Sequence, residues 1–453
     1  MKGINFVKVA IVGGGISGLS CAYYLGRAGI EATVFDPSPG GPMGSETIQG
    51  CLLETGPESW LAAKPWAEQL IREVGMGDDL VGSNDAARRT YVLRKGRFVT
   101  LPEGLQLVVP TKAWPIVETP LFSWATKIKM GLEIFRSPKA MPDRSVSDFV
   151  RDHFGQEAVE YLAEPLLAGV YGGSPDNLSA PSVLPKFVEY EQKYGSVVVG
   201  TMRQKFPTTP GQPKPSIFKG LKRGMGSLVA ELSSRVNIVR SKVESIAKGE
   251  NGWGVRVAGE WLAFDQVVMA CGANFAAPMI APFEGRLGEL LGSIPYSGSE
   301  IWTFGFNRQD VPHPLDAFGF LVPRKERKKI MACTWLNTKW LNRVPEGKAV
   351  LRCFSTNAGT TGAEMLAELG DLMGIVKDPI FTRQHKWPDS MAQYTVGHME
   401  RVAEIEERVE AIPGLFLAGN AYHGIGIPDC VKSARQAAGA VVEYASSLAT
   451  SSL

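Results

Sequence analysis

The chain opens on a short apolar run, Lys8 to Val12 (KVAIV), in which β-branched residues predominate, so a strand is predicted there. It breaks at GGGISG, a helical pattern follows through Leu25, and a second strand, EATVF, ends at Asp36. Further on, Ala62 to Val74 has helical periodicity and is closed by Gly75. Ser145 to Ala168 is helical again until VYGGSPDNLSAP breaks it, and the proline-rich stretch 201–215 has no periodicity, which predicts a linker or a mobile loop. Strand patterns then resume. Val236 to Val243 reads as one strand, Gly252 to Val257 with Trp261 to Phe264 as a hairpin around AGE, and Gln266 to Ala270 as a buried strand running into CGAN. Near the C-terminus, LFLAG (415–419) is one more short strand, followed by a glycine-rich turn and a helix expected from Pro428 and Asp429.

Two strand–turn–helix junctions therefore stand about 400 residues apart. The first supplies Gly13, Gly15 and Gly18 in G-x-G-x-x-G spacing, with Gly14 and Ser17 between them and Asp36 ending the next strand. Glycines permit a tight turn and close approach of backbone to a pyrophosphate, the helix N-terminus offers free N–H groups, and the acid can hold a ribose hydroxyl. The middle of the chain interrupts this nucleotide domain, and LFLAG is the kind of strand that completes it. The turn after LFLAG then reaches the cofactor from the other side, and its helix aims a positive end at it. That suits a reduced flavin, which carries negative charge near N1. A simple NAD enzyme does not need a second, distant turn, so FAD is the expected cofactor.

Composition adds limits. With 453 residues, 44% of them hydrophobic, the chain can build two or three domains with large cores. A formal charge of +2 implies no bulk attraction to nucleic acid. The six cysteines are scattered without a C-x-x-C, which points to a reducing compartment and away from zinc or a disulfide framework. The N-terminus enters a strand almost at once, so no signal peptide is expected. The uncharged run Val267 to Phe283 contains Asn274, Pro278 and Pro282 and is not a spanning helix. The five histidines (His153, His313, His385, His398, His423) form no metal-ligand spacing, and no metal is expected.

Five stretches together carry a resemblance: LLETGPESW (52–60), YLAEPLLAGVYGGSPDNLSAP (161–181), FKGLKRGMGSL (218–228), QYTVGHMERV (393–402) and GNAYHGIGIPDCVKSARQAAGA (419–440). Over nearly its whole length the chain resembles the FAD-dependent protoporphyrinogen oxidase family, within the wider flavin amine-oxidase group. The resemblance implies an α/β fold of the p-hydroxybenzoate-hydroxylase-like type. Its discontinuous Rossmann-like FAD domain would take residues 1–70, 222–285 and 405–453, a mixed-sheet substrate domain 71–92, 186–221 and 286–404, and a helical insertion, facing either the core or a membrane, 93–185. It implies oxidation of protoporphyrinogen IX to protoporphyrin IX with oxygen as acceptor, in haem or chlorophyll synthesis, with coproporphyrinogen III as the alternative substrate and an amine oxidase as the rival class. It also implies a cytoplasmic enzyme, with peripheral attachment to the inner face of the membrane and a homodimer left open. Carried over by position, Gly13, Gly14, Gly15, Ser17 and Gly18 match the pyrophosphate turn and Asp36 the ribose acid. Val243 matches a backbone contact to adenine, Gly56 and Pro57 a flavin-facing turn, and Gly419, Gly424, Ile425, Gly426 and Ile427 the turn along the isoalloxazine. No catalytic side chain is implied, because the flavin N5 does the chemistry. There are two departures. Pro42 stands where the group usually has a basic residue after Gly-Gly, and Gln106 stands where plant and animal members have an arginine for a substrate propionate. Protoporphyrinogen, the less charged candidate, is therefore the expected substrate, unless Lys222 or Arg223 reaches the site.

Two stretches have competing readings. Leu121, Trp124, Ile128, Leu132 and Phe135 share one helical face; the expected reading is a helix packed on the core, the alternative a membrane-lying helix or the wall of a substrate channel. RKERKK (324–329) is expected to be a solvated turn.

Overall fold

The computed structural model describes residues 7–204, 216–250, 252–355 and 359–451. Of the proline-rich stretch, the first residues close a helix (Val197–Arg203), and 205–215 lie outside the described residues. Five parallel strands form the nucleotide sheet, in the order Asn237–Val239, Glu31–Phe35, Lys8–Val12, Gln266–Met269, Leu415–Leu417. Ile11 lies opposite Val34 on one side and Val268 on the other, and Val268 lies opposite Phe416. Helices cover one face of the sheet and the antiparallel strands between Val243 and Phe264 pack on the other, which is why its central strands read as unbroken apolar runs. One covering pair is the helix after the first strand (Ile16–Arg27) and the long last helix (Ile427–Ser451), which pack side by side.

The hairpin around AGE forms as expected, with Ala258 (φ 49°) and Gly259 (φ 82°) making the two-residue turn that matches strand twist. The expected single strand 236–243 is instead two. Asn237–Val239 joins the parallel sheet, where the Val239 carbonyl accepts the Asp36 N–H, the chain turns at Arg240–Lys242, and Val243–Gly249 starts an antiparallel sheet.

A second, mixed sheet of seven strands runs Phe381–Ala392, Tyr296–Asn307, Lys348–Ser355, Ala332–Trp335, Gly319–Leu321, Tyr91–Arg94, Arg97–Thr100. One pair in it is parallel, Gly319–Leu321 with Tyr91–Arg94. Helices between Ala113 and Arg203 pack around Phe149, Val150, Phe154 and Leu162. This is the mixed α/β fold the sequence led us to expect.

The packed-helix reading of 121–135 is overturned. Leu121 is buried, but Trp124, Ile128, Leu132 and Phe135 are 65%, 59%, 59% and 76% exposed. The helix Trp124–Leu132 turns Thr126 and Met130 inward, and Glu133 follows on the same face. The buried Glu133 carboxylate accepts from the Ser196 hydroxyl and the Val197 and Val198 amides at the start of the Val197–Arg203 helix. That polar anchor, invisible to hydrophobic periodicity, sets the roll of the segment. In RKERKK, Lys325, Arg327, Lys328 and Lys329 pair with Glu160, Glu164, Asp371 and Glu364 at 2.6–2.9 Å.

Candidate cofactor and substrate site

The first turn is built so that only one glycine leaves room for a ligand. A Cβ on Gly13 (φ 107°) would meet the Ala270–Cys271 backbone at 2.8–2.9 Å, one on Gly14 the Asp36 Cβ at 2.8 Å, and one on Gly18 the Gly13 carbonyl at 1.9 Å. A Cβ on Gly15 meets nothing within 4 Å. Gly15 precedes the helix, whose first intrahelical bond is Leu19 N–H to Gly15 O (3.0 Å), so the amides of Ile16, Ser17 and Gly18 point ahead of the ladder. The Asp36 carboxylate accepts from the Gly14 amide and the Ser38 amide, each at 2.7 Å. It therefore braces the turn, and Asp36 occupies both the Gly14 N–H and the space beside the Gly14 Cα.

The last turn ends at the same edge of the sheet. Gly419 (φ 139°) and Gly424 (φ 142°) have conformations that favour glycine. The Asp429 carboxylate folds back over the turn, 2.7 Å from a Cβ on Gly424 and 3.1 Å from one on Gly426, and is held by Lys64 Nζ at 2.6 and 2.7 Å. The helix starts at Ile427, one residue earlier than expected. Its first intrahelical bond is Cys430 N–H to Gly426 O, leaving the Ile427 and Asp429 amides ahead of it, while Pro428 has none to satisfy. Burial pushes the Cys430 thiol up to about 12, so no thiolate stands beside the turn at neutral pH.

The segment Gln393 to His398 grips this turn. The Tyr394 hydroxyl accepts the Gly424 N–H and donates to the Asn420 carbonyl, both at 2.7 Å. The His398 ring stacks on Tyr394 with centroids 4.0 Å apart, and Nε2 lies 3.1 Å from the Tyr422 carbonyl. A carbonyl only accepts, so Nε2 carries the proton and neutral Nδ1 is bare; burial lowers the pKa of this histidine to about 4. The Tyr422 hydroxyl is buried with no partner among the described residues.

Gly56 packs so tightly that its Cβ would stand 2.1 Å from the Pro42 carbonyl, with Pro57 half-buried beside it. Behind this turn lies a buried charge network. Glu58 meets Lys339 and, at 3.3 Å, Arg352; Arg352 also donates to the Gly56 carbonyl; Arg343 reaches Glu54 at 3.1 Å. Burial raises the Glu58 carboxyl, but Lys339, Arg352 and Arg343 outweigh it and hold the pKa at about 2. Burial also raises Glu54, and there it prevails over Arg343 and the Ser45 hydroxyl. The acids lie within LLETGPESW; the cations come from 339–352, where no motif marked them.

Val243 is buried opposite Val257 at the start of its strand. Gln106 is half-buried in a two-residue strand paired with Val109–Pro110. Lys222 and Arg223 do not reach inward; they are held at the surface by the Asp78 carbonyl and the Asp79 carboxylate. His153 bridges Glu133 and Glu191 at 2.8 and 3.1 Å. Asp152, His153 and Glu191 cluster, but Arg144 spans the two acids and Arg136 holds Asp152.

Two helix N-termini meeting beside parallel strands, one preceded by an open glycine cradle, define a dinucleotide-binding flavoprotein fold. The chain belongs to the flavin containing amine oxidoreductase family, whose model matches residues 16–442. It is 32% identical to the coproporphyrinogen III oxidase of Bacillus subtilis, over 96% of this chain and 98% of that one. It is 26% identical to protoporphyrinogen oxidase 2, chloroplastic/mitochondrial, of Arabidopsis thaliana, over 98% and 95%. A crystal structure from Exiguobacterium sp. 255-15, with a provisional protoporphyrinogen-oxidase assignment, superposes with a TM-score of 0.85 at 28% identity, over 97% of this chain and all of that one. The protein is an FAD-dependent oxidoreductase. The residues present fit that cofactor: the open side of Gly15, the free amides at both helix starts and the unpartnered Tyr422 hydroxyl.

Proposed function

We propose that this enzyme oxidises a porphyrinogen to the corresponding porphyrin in tetrapyrrole synthesis, using three oxygen molecules and releasing three of hydrogen peroxide per macrocycle. The observation that carries the reading is the meeting of the two turns at one sheet edge, in a chain that aligns end to end with porphyrinogen oxidases. Each two-electron step removes a hydride from a meso carbon together with one proton; over the three steps two of the protons leave pyrrole nitrogens and the third leaves the remaining meso carbon by imine–enamine tautomerisation, so that all four bridges become unsaturated. FAD, when bound, supplies the hydride acceptor. The chain's part is to hold and to exclude water: Ile16, Ser17 and Gly18 amides at the pyrophosphate, Asp36 at the ribose, Val243 at the adenine, and Gly56, Pro57 and the 419–427 turn along the ring system. The domain division given above, with 93–185 as the insertion, is part of the same proposal.

Coproporphyrinogen III is the substrate we propose first, because relatives at 28–32% identity carry that name. Protoporphyrinogen IX is the second reading, favoured by Gln106 in place of an arginine and by Lys222 and Arg223 lying at the surface. Burying an unpaired carboxylate is costly, and coproporphyrinogen brings four. Anaerobically prepared porphyrinogens, assayed by porphyrin fluorescence on admitting air, decide it. A tenfold higher kcat/KM for protoporphyrinogen IX would reverse the order, and no porphyrin from either would remove the proposal.

The exposed stripe Trp114, Trp124, Ile128, Leu132 and Phe135 supports peripheral membrane attachment, with Lys112, Lys127 and Lys129 beside it to meet anionic headgroups. No helix among the described residues is long and apolar enough to cross a membrane. Co-sedimentation with anionic vesicles that is lost in Trp124→Ser/Phe135→Ser is the expected result; equal sedimentation of both proteins removes this part.

A further inference from the structure

The segment Gln393 to His398 touches three parts of the molecule at once. On one side are the Tyr394 and His398 contacts to Asn420, Tyr422 and Gly424 described above. On another, Gln393 Nε2 donates to the Tyr171 carbonyl and, at 2.8 Å, to the Ser297 hydroxyl, while a Cβ on Gly173 would stand 1.8 Å from Gln393 Oε1. The Ser179 amide donates to the Tyr394 carbonyl (2.7 Å), and the Val396 amide to the Asn177 carbonyl (3.1 Å). Gly397 donates to Asp143 at 2.7 Å. Tyr171 also meets the Tyr394 ring edge-on, with centroids 5.9 Å apart.

Each contact to the last turn goes to its backbone, so what the segment fixes is the path of the chain, whatever the side chains there. The Tyr394 hydroxyl takes one group from each end of Asn420–Gly424 and fixes their separation. His398 holds the carbonyl midway between them, and its ring limits rotation of the Tyr394 ring. Among the described residues these are the only side-chain hydrogen bonds to the backbone of Asn420, Tyr422 and Gly424.

We propose that Tyr394 and His398 are positioning residues that set the shape of the flavin-facing turn, and that Gln393 sets its distance from the Tyr171–Gly173 turn of the helical region. This rests on the reading that 419–427 lies along the flavin. A loosened turn would hold reduced and oxidised flavin with a different ratio of affinities, because the amides at Ile427 and Asp429 would no longer meet the pyrimidine edge in one arrangement.

The test uses FAD-loaded wild type, Tyr394→Phe, His398→Gln and Gly426→Ala. Gly426→Ala adds one carbon to the turn itself, 3.1 Å from the Asp429 carboxylate, and its effect on bound flavin reports whether the turn lies along the cofactor. The expected result is that Gly426→Ala alters the flavin absorption band. Tyr394→Phe should lower FAD affinity at least tenfold and change the reduced-to-oxidised affinity ratio about tenfold, which for a two-electron couple is about 30 mV in midpoint potential. His398→Gln, which keeps a side-chain N–H donor, should fall between Tyr394→Phe and wild type. If Gly426→Ala changes the band while Tyr394→Phe and His398→Gln keep wild-type affinity and potential, the positioning role is wrong and the reading of the turn stands. If none of the three variants moves the spectrum or the potential, the reading of the turn fails and takes the inference with it. A variant altered only in melting temperature counts against positioning.

Discussion

Gly15→Val separates binding from folding more cleanly than any other change in the site. The residue sits at φ −66° and ψ −179°, backbone that valine adopts without strain, and its Cβ would meet nothing within 4 Å. The apoprotein should therefore fold and melt as wild type does. The branched side chain would stand in the cradle, however, and keep a pyrophosphate from the amides of Ile16, Ser17 and Gly18. Hydrogen bonds to a charged group are worth about 1.5–3 kcal/mol each. Losing two removes about 3–6 kcal/mol, roughly two to four powers of ten in Kd. Gly18→Ala is the contrast: its Cβ would lie 1.9 Å from the Gly13 carbonyl, backbone that cannot move aside, so it should lose the fold along with the flavin. Flavin-to-protein absorbance of purified proteins, FAD titration of the apo forms and apo melting curves give the answer. A Gly15→Val protein with wild-type flavin content would refute the cradle, and so would one that loses flavin only by unfolding.

Asp36→Ala should weaken FAD binding less than Gly15→Val, since one acceptor group is lost, although it also frees the Gly14 and Ser38 amides; titration of the apoprotein ranks the two. The flavin should be noncovalent, because the Cys430 thiol is buried and held protonated, and denaturing precipitation should leave all colour in the supernatant. Glu58→Gln leaves Lys339 and Arg352 without their buried carboxylate and should cost about 3–5 kcal/mol in denaturant unfolding; a loss under 1 kcal/mol would show that the network is solvated. His398 has its folded pKa lowered from 6.5 to about 4, so the stability it contributes is present above 6.5 and lost as pH falls through that window, by about 1.4 kcal/mol per unit. His398→Gln should flatten that slope, while Glu58 adds a separate loss between its ordinary 4.5 and about 2.

Strands and glycine turns were legible because each leaves a local trace: apolar runs such as KVAIV and QVVMA for buried parallel strands, and glycines where backbone must pass close to backbone. What was lost in the sequence is whatever depends on a distant partner. Periodicity put Trp124, Ile128, Leu132 and Phe135 on one face, but the facing direction was decided by Glu133 and its hydrogen bonds to 196–198. The valines of 236–243 suggested one strand, although the break at Arg240–Lys242 sends its halves to different sheets. The cations around Glu58 sit 281 to 294 positions downstream of it. His398 could be singled out by its motif, yet its contact to the Tyr422 carbonyl leaves no periodic mark.

The nucleotide sheet has a consequence for how the protein is made. A ribosome finishes the first strand, Lys8–Val12, early, but its neighbour Gln266–Met269 emerges some 250 residues later and the outer strand Leu415–Leu417 later still. The glycine cradle therefore waits about 250 residues for one flank, and the opposing helix start at Ile427 follows the cradle by about 400 residues. Such long-range closure is slow and leaves apolar strand edges uncovered meanwhile. On the proposed reading of the two turns, cofactor loading is a late event, and a chain cut short before residue 415 would carry the first glycine turn without the second.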